Sequence, residues 1–165
     1  MSIAYAEFET TTQSQLFAPH VAKTQTALLH CLVVSEDAER REFLEAAAER
    51  AGWQVTAFAD ANVASNTAHR FRHSLVIVDL DSTEPGNSNS LRALTEQMCT
   101  DAQRLLIVCG TEGNPLEEIW ARQLGVWLYL AGVDLSCDVE SLCSEARQVA
   151  DKLATPTKPK YARTA

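Results

Sequence analysis

The 165 residues are enough for one domain with a single hydrophobic core, and no apolar run approaches the roughly 18 residues that a membrane-spanning helix needs. The formal net charge is −8, and residues 28–153 hold 20 acidic side chains against 10 lysines and arginines, which argues against direct nucleic-acid binding by the domain. The five cysteines form no CxxC pair and no metal-ligand spacing with the four histidines, and the first residues lack the apolar segment of a secretory signal, so we expect a reducing, cytoplasmic location.

The two ends of the chain differ in composition from its middle. Residues 1–27 show no sustained hydrophobic period, and Pro19 interrupts any helix there, so we predict a flexible leader. Residues 154–165 contain three basic side chains and no acidic one, and we predict a disordered basic tail. The predicted domain therefore spans residues 28–153.

The first half of the domain alternates apolar strands with helices. Residues 28–34 form an apolar run that predicts a strand, after which Asp37 provides an N-cap for a helix over residues 39–51. Residues 53–59 alternate weakly between apolar and polar side chains, which predicts a second strand near an edge of the sheet. A helix with a thin apolar face follows and ends near residue 70.

The most apolar segment of the chain ends in carboxylates. Residues 74–80 have the sequence Ser-Leu-Val-Ile-Val-Asp-Leu, and this apolar run predicts a strand that is buried on both faces. Asp79 then lies where the strand leaves the sheet. It either caps a turn or belongs to a binding site, because ligands of open α/β sheets bind at the carboxyl ends of strands. A long loop over residues 82–89 is expected next.

The second half repeats the alternation. Asn114 and Pro115 mark a helix start, since Asn is a good N-cap and Pro suits the first helical position. The elements expected here are a helix around residues 91–98, a strand at 104–109, a helix from 115 to 124, a strand at 126–130 and a helix from about 136 to 153. Strict alternation predicts an α/β fold with a doubly wound, five-stranded parallel sheet and helices on both of its faces.

In such a sheet the first and third strands are neighbours, so Glu36 and Asp79 are expected to approach each other at their carboxyl ends. Two carboxylates repel, which favours a divalent cation such as Mg²⁺ between them. There is no GxGxxG after the first strand and no P-loop lysine, which argues against dinucleotide and nucleoside-triphosphate binding. No Ser/His/Asp constellation stands out, and we expect no enzyme activity; His73, near a helix end, is expected to be solvated.

Five segments in register resemble the receiver domains of bacterial response regulators, the phosphoacceptor fold of two-component signalling. The segments are residues 31–36 (CLVVSE), 52–55 (GWQV), 74–80 (SLVIVDL), 105–109 (LLIVC) and 125–130 (GVWLYL). The resemblance covers about three quarters of the chain. It implies a flavodoxin-like sheet with the strand order 2-1-3-4-5.

The resemblance also implies roles for individual residues. In the family, an Asp at the end of the third strand accepts a phosphoryl group from a histidine kinase, and Asp79 matches it. The paired acids that hold Mg²⁺ after the first strand correspond to Ser35 and Glu36, which leaves Glu36 and Asp79 as metal ligands. The family's Ser or Thr after the fourth strand is Cys109 here, and its Lys after the fifth strand is Gly132.

These substitutions remove groups that stabilise a phosphoryl group. Each such electrostatic donor is commonly worth about 10²–10³ in rate. We therefore expect a degenerate receiver, or pseudo-receiver, with at most weak Mg²⁺ binding. Lys152, the only lysine of the domain, lies in the last helix and is not expected to substitute, whereas Arg104 and Arg122 stay open as sources of positive charge.

The family's usual contact surface is formed by the fourth helix, the fifth strand and the fifth helix. Here that region carries Trp120, Trp127 and Tyr129; Tyr129 matches the family's switch aromatic, or it simply packs in the core. We interpret the chain as a module that acts through contact with a histidine kinase, a regulator, another receiver or a second copy of itself. Two alternatives stay open: a functional response regulator phosphorylated on Asp79 in a phosphorelay, and a flavodoxin-like domain that binds a small ligand.

Overall fold

The computed structural model describes residues 29–81 and 85–154. The predicted leader, residues 1–27, lies outside the described residues, and so does the predicted tail except for residue 154, which ends the last helix. None of the helices in the described ranges is both long and apolar enough to cross a membrane.

Strands and helices alternate along the described part of the chain. In order, they are β1 (His30–Val34), α1 (Ala38–Arg50), β2 (Gln54–Phe58), α2 (Ala61–Ala68), β3 (Leu75–Asp79), α3 (Pro85–Met98), β4 (Leu105–Gly110), α4 (Pro115–Leu124), β5 (Leu128–Ala131) and α5 (Val139–Ala154). All strand pairs are parallel, and the sheet has the order β2-β1-β3-β4-β5. The predicted α/β fold, its strand order and the edge position of β2 are confirmed.

The sheet is packed on both faces because successive side chains of a strand point to opposite sides. On one side, Val33, Ile77 and Ile107 belong to a core cluster that also contains residues of α1 and α5. On the other side, Val34 and Val78 belong to a second cluster, which contains residues of α2 and α3. The central strands are therefore apolar throughout, and polar chemistry is confined to their ends.

Two expectations about local structure were wrong. The loop predicted over residues 82–89 gives way to helix at Pro85, where α3 begins. Proline is compatible with a first helical turn, while the following Asn and Ser residues are weak helix formers that hide the helix from a propensity argument. His73 is only 2% exposed instead of solvated; its ring lies 6.4 Å from that of His30, and its backbone carbonyl accepts a hydrogen bond from Arg104.

Candidate functional site

Asp79 is the last residue of β3, the strand at the centre of the sheet. Its Cα is paired with that of Cys109 on β4, and the end of β1 lies on its other side. The Asp79 side chain is 0% exposed. An ionisable group at the carboxyl edge of a parallel sheet normally meets solvent or a ligand, so its complete burial requires partners within the protein.

Those partners come from the residue that follows β1, from the first turn of α1 and from the segment that follows β3. The Ser35 hydroxyl donates to one carboxylate oxygen, Oδ2, over 2.7 Å. The Arg40 guanidinium donates to the other, Oδ1, over 2.8 Å, and the backbone N–H of Asp81 donates to the same oxygen over 3.2 Å. Both oxygens of Asp79 are thus occupied by donors of the protein itself.

Arg40 is placed at the site by the first turn of α1. The Asp37 side chain caps this helix and accepts a hydrogen bond from the backbone N–H of Arg40 over 2.8 Å. The Arg40 guanidinium then bridges two carboxylates, because it pairs with Asp81 through Nη1 and with Asp79 through Nη2. The neighbouring Arg41 has a different task, since it donates to the backbone carbonyls of the preceding loop.

Burial dominates the electrostatics of the Asp79 carboxyl group. Loss of solvent raises its pKa, although the hydrogen bond from Ser35 and the positive charge of Arg40 act in the opposite direction. Arginine is always protonated in proteins, so Arg40 supplies a permanent positive charge next to this acid. The site is therefore neutralised from within.

The fit of Mg²⁺ to this site is poor. Mg²⁺ requires near-octahedral oxygen ligands at about 2.0–2.1 Å, and Oδ1 of Asp79 already contacts the Arg40 guanidinium. Glu36, the other expected ligand, is half-exposed and lines a cavity of about 350 Å³ with Arg40 and Asp81, among others, but not with Asp79. Within the described ranges, no group of three or more His, Cys, Asp or Glu residues is arranged to hold a metal ion.

Cys109 and Gly132 occupy the remaining positions to which the resemblance assigned roles. The Cys109 thiol is fully buried, and burial raises its pKa, so it stays protonated and is at best a weak donor. Gly132 has a φ of +63°, and a Cβ atom at this position would lie 3.0 Å from the Cβ of Glu112. A lysine at position 132 would therefore be strained as well as crowded.

The positive charge at the site comes from an arginine that sequence reasoning missed. Arg104 donates to the carbonyls of His73 and Met98, and Arg122 pairs with Glu118, so both are engaged elsewhere. The sequence does contain a feature that points to Arg40. A basic residue in the first turn of a helix is unfavourable next to the positive end of the helix dipole, so an acidic partner for Arg40 could have been expected.

A second cluster of polar side chains lies at the start of α4. Glu117 is 5% exposed and accepts hydrogen bonds from the Tyr129 hydroxyl (3.1 Å) and from the backbone N–H of Thr111 (2.9 Å). It also forms an ion pair with Arg92 of α3 over 2.9 Å. We call these four residues, Arg92, Thr111, Glu117 and Tyr129, the Glu117 cluster. It joins α3, the β4–α4 loop, α4 and β5.

The Glu117 cluster depends on the glycine at position 110. A Cβ atom on Gly110 would lie 2.1 Å from the hydroxyl oxygen of Tyr129 and 2.3 Å from a carboxylate oxygen of Glu117. Any larger residue at this position would displace one of them. Tyr129 thus has a specific polar contact in addition to its packing in the core.

The three aromatic residues assigned to the contact surface do not lie together. Trp120 and Tyr129 pack against the core on the side of α2 and α3, whereas Trp127 packs against the core on the side of α1 and α5. Trp120 is half-buried, and the Arg92 guanidinium lies 4.7 Å from the centroid of its ring. The exposed apolar side chains of α4 are Leu116 (76% exposed) and Ile119 (51%), which the sequence analysis did not single out.

Comparisons with known proteins give matches to solved structures alone. No family model matches the chain, and no curated protein matches it. The structure is similar to the chemotaxis protein CheY4 of Vibrio cholerae, with 20% identity and a TM-score of 0.57, covering 74% of this chain and 99% of CheY4. It is also similar to a CheY-like response regulator receiver domain from Methanospirillum hungatei, with 14% identity and a TM-score of 0.62, covering 77% and 97%.

A third match is HP1043, an orphan response regulator of H. pylori, with 13% identity and a TM-score of 0.59, covering 74% of this chain and 96% of that one. The three structural matches establish a shared fold, and at sequence identities this low they establish the fold alone. The shared fold agrees with the strand order of the sheet. The resemblance inferred from the sequence is thus confirmed at the level of architecture: this chain has the CheY-like receiver fold.

Proposed function

We propose that the chain is a receiver-like module of two-component signalling that acts in the cytoplasm through protein–protein contact and takes up phosphoryl groups on Asp79 poorly. One observation carries this proposal. Asp79 is completely buried, and both of its carboxylate oxygens are bound by Ser35 and Arg40. A phosphodonor would have to displace both partners before an oxygen of Asp79 became a nucleophile.

The surroundings of Asp79 are equally unsuited to holding a phosphoryl group. Phosphoryl transfer depends on positioned cations and donors that stabilise the equatorial oxygens. Position 109 holds a buried thiol, position 132 holds a glycine that has no side chain to contact a phosphoryl group, and the guanidinium of Arg40 is already engaged by two carboxylates. The chain therefore keeps the scaffold of a phosphoacceptor without its stabilising groups, and we assign it no enzyme activity.

Transmission of a signal then rests on partner binding. A histidine kinase, a regulator or another receiver, including a second copy of this chain, is the expected partner. The exposed Leu116 and Ile119 support such a role, because they are three residues apart on α4 and share one face of this helix, and neighbouring exposed apolar side chains are typical of interaction sites. Under this proposal, the signal that the chain transmits depends on whether its partner is present.

Treatment with acetyl phosphate or beryllofluoride in the presence of Mg²⁺ tests the proposal. We expect no change in intact mass or in tryptophan fluorescence, either in the wild-type chain or in the Asp79→Asn variant. A receiver domain of a phosphorylated response regulator, treated in parallel, serves as the positive control. A Mg²⁺-dependent change that is present in the wild type and absent from Asp79→Asn would instead establish the alternative, a functional response regulator phosphorylated on Asp79.

A further inference from the structure

We infer that Arg40 is the resident cation of the Asp79 site: its guanidinium takes the place that a divalent metal would need, and removal of this side chain uncovers a metal-binding site at Asp79 and Asp81. The inference rests on the proposed function and explains why Asp79 remains charge-balanced without a metal. It concerns this chain's own arginine and the acids that it bridges.

The geometry of Arg40 is that of a bridging cation. One guanidinium nitrogen, Nη2, lies 2.8 Å from Oδ1 of Asp79, and the other, Nη1, pairs with Oδ2 of Asp81. A cation between two carboxylates offsets their mutual repulsion, which is the task of a divalent ion at such a pair. The Arg40 side chain is 18% exposed, and its guanidinium lies between the buried carboxylate of Asp79 and the half-exposed carboxylate of Asp81.

Two features show that Arg40 is held there by the acids and not by its own helix. Its position in the first turn of α1 places positive charge at the positive end of the helix dipole. Its Nε is, in the described part of the chain, one of two buried side-chain nitrogen or oxygen atoms without a hydrogen-bond partner. Both features are unfavourable, and attraction to the two carboxylates offsets them.

A covalently attached cation behaves differently from a bound metal. The Arg40 charge is permanent at physiological pH and does not dissociate. The charge balance around Asp79 is therefore independent of the Mg²⁺ concentration. Removal of the guanidinium leaves two acids facing each other at the edge of a cavity of about 350 Å³ that Asp81 lines, and oxygen-preferring cations such as Mg²⁺ and Mn²⁺ are attracted to such a pair.

Titration with Mg²⁺ and Mn²⁺ tests the inference, with calorimetry, the melting temperature and paramagnetic broadening of NMR signals near Asp79 as readouts. We expect no saturable binding to the wild type. Arg40→Ala gains a saturable site, with an apparent affinity for the metal at least about tenfold above that of the wild type. The melting temperature of this variant rises with Mg²⁺. Arg40→Gln, which keeps a hydrogen-bond donor but loses the charge, shows the same gain and covers the case in which Arg40→Ala folds poorly.

Two controls assign the effect to Arg40 and Asp79. Arg41→Ala removes the same charge one residue further along α1, where the side chain contacts backbone carbonyls, and it should behave like the wild type. The double variant Arg40→Ala/Asp79→Asn should lose the new site. Saturable binding to the wild type that is lost in Asp79→Asn would overturn the inference, and so would failure of both Arg40 variants to bind either metal.

The metal titration and the phosphodonor experiment can fail separately. A wild-type chain that takes up phosphate, although metal binding appears only without Arg40, would refute the proposed function and keep the inference. A wild-type chain that binds Mg²⁺ at Asp79 but resists every phosphodonor would refute the inference and keep the proposed function.

Discussion

The Asp79–Arg40 pair shows how a single side chain can change the chemistry of a buried acid. An ionised carboxylate in a protein interior is costly unless a charge and hydrogen bonds compensate it. Ser35 provides a hydrogen bond and Arg40 the charge, so the acid is satisfied without a ligand. Under the proposed function, the same contacts that stabilise the carboxylate also keep it from reacting with a phosphodonor.

Loss of Arg40 should therefore destabilise the fold. Arg40→Ala leaves the buried Asp79 without its charge partner, and we expect the free energy of unfolding to fall by about 3 kcal/mol. Chemical denaturation at neutral pH measures this change. In an Asp79→Asn background the same substitution should cost less, because the buried charge is gone. Equal costs in the two backgrounds would show that the pair does not interact.

The buried His73 is expected to make the free energy of unfolding depend on pH below about pH 7. Burial lowers its pKa from 6.5, and the nearby His30 and Arg104 lower it further. Since the folded-state pKa lies below the unfolded one, the contribution to stability is present above pH 6.5 and is lost as the pH falls through this value toward the folded-state pKa. His73→Gln should flatten the fall in unfolding free energy between about pH 7 and 5, measured by urea denaturation.

The matched control for this prediction is His69→Gln. His69 is exposed, so this variant shows whether loss of any histidine, and not only of the buried one, alters the profile. An equally steep fall in the His73→Gln and wild-type proteins would show that another group is responsible.

At the level of secondary-structure elements, the Glu117 cluster links α4 to α3 and to the sheet. Its contacts reach from Arg92 on α3 to Tyr129 on β5, and each is made through the same buried carboxylate. A buried charge with several partners holds its elements more firmly than separate contacts would, since loss of one partner weakens the others. The exposed apolar residues Leu116 and Ile119 therefore lie on a helix that Glu117 ties to α3 and β5.

Gly110→Ala tests this arrangement. The added methyl group would overlap the hydroxyl of Tyr129, so the ring has to move, and we expect a loss of about 1–3 kcal/mol in unfolding free energy. The chemical shifts of the Tyr129 ring should change as well. The cost should fall in a Tyr129→Ala background, where the methyl group no longer meets the ring. An unchanged Tyr129 environment in Gly110→Ala would contradict the assigned contact.

How much the sequence predicts also differs between elements. Residues 75–79 lie in an apolar run that needs no knowledge of distant contacts, and their burial and place in the sheet were predicted correctly. The start of α3 was missed, because Pro85 and the polar residues after it are ambiguous between loop and helix. Arg40 was missed because a charge on a helix normally indicates solvent, and its partner Asp79 is 39 residues away along the chain.

For the whole molecule, stability depends on the core, whereas the proposed partner binding depends on the outer surface of α4. The central strands are buried on both faces and account for the stability of the fold. Leu116 and Ile119 contribute little to this core, because they are exposed. Folding and partner binding should therefore respond to different substitutions.

The double variant Leu116→Lys/Ile119→Lys tests this separation. Exposed substitutions commonly change the free energy of unfolding by only about 0.5 kcal/mol, so stability should stay near the wild-type value. Association with a second copy or with a candidate kinase, measured by sedimentation or surface binding, should be lost. Val63→Lys, at a half-exposed apolar residue of α2, is the control that should leave association unchanged. Equal binding by all three proteins would place the contact surface elsewhere.

The glycine at position 132 limits how the site can be altered by substitution. A lysine introduced there alone meets the backbone strain of a φ of +63° and the side chain of Glu112. An aspartate introduced alone at position 35 would face Asp79 while Arg40 can neutralise only one of the two charges. Each single substitution towards the residues of a phosphorylated receiver is thus unfavourable unless the others are made with it. Conversion of this site into a phosphoacceptor would require positions 35, 40 and 132 to change together, since each change alone opposes the stability of the fold.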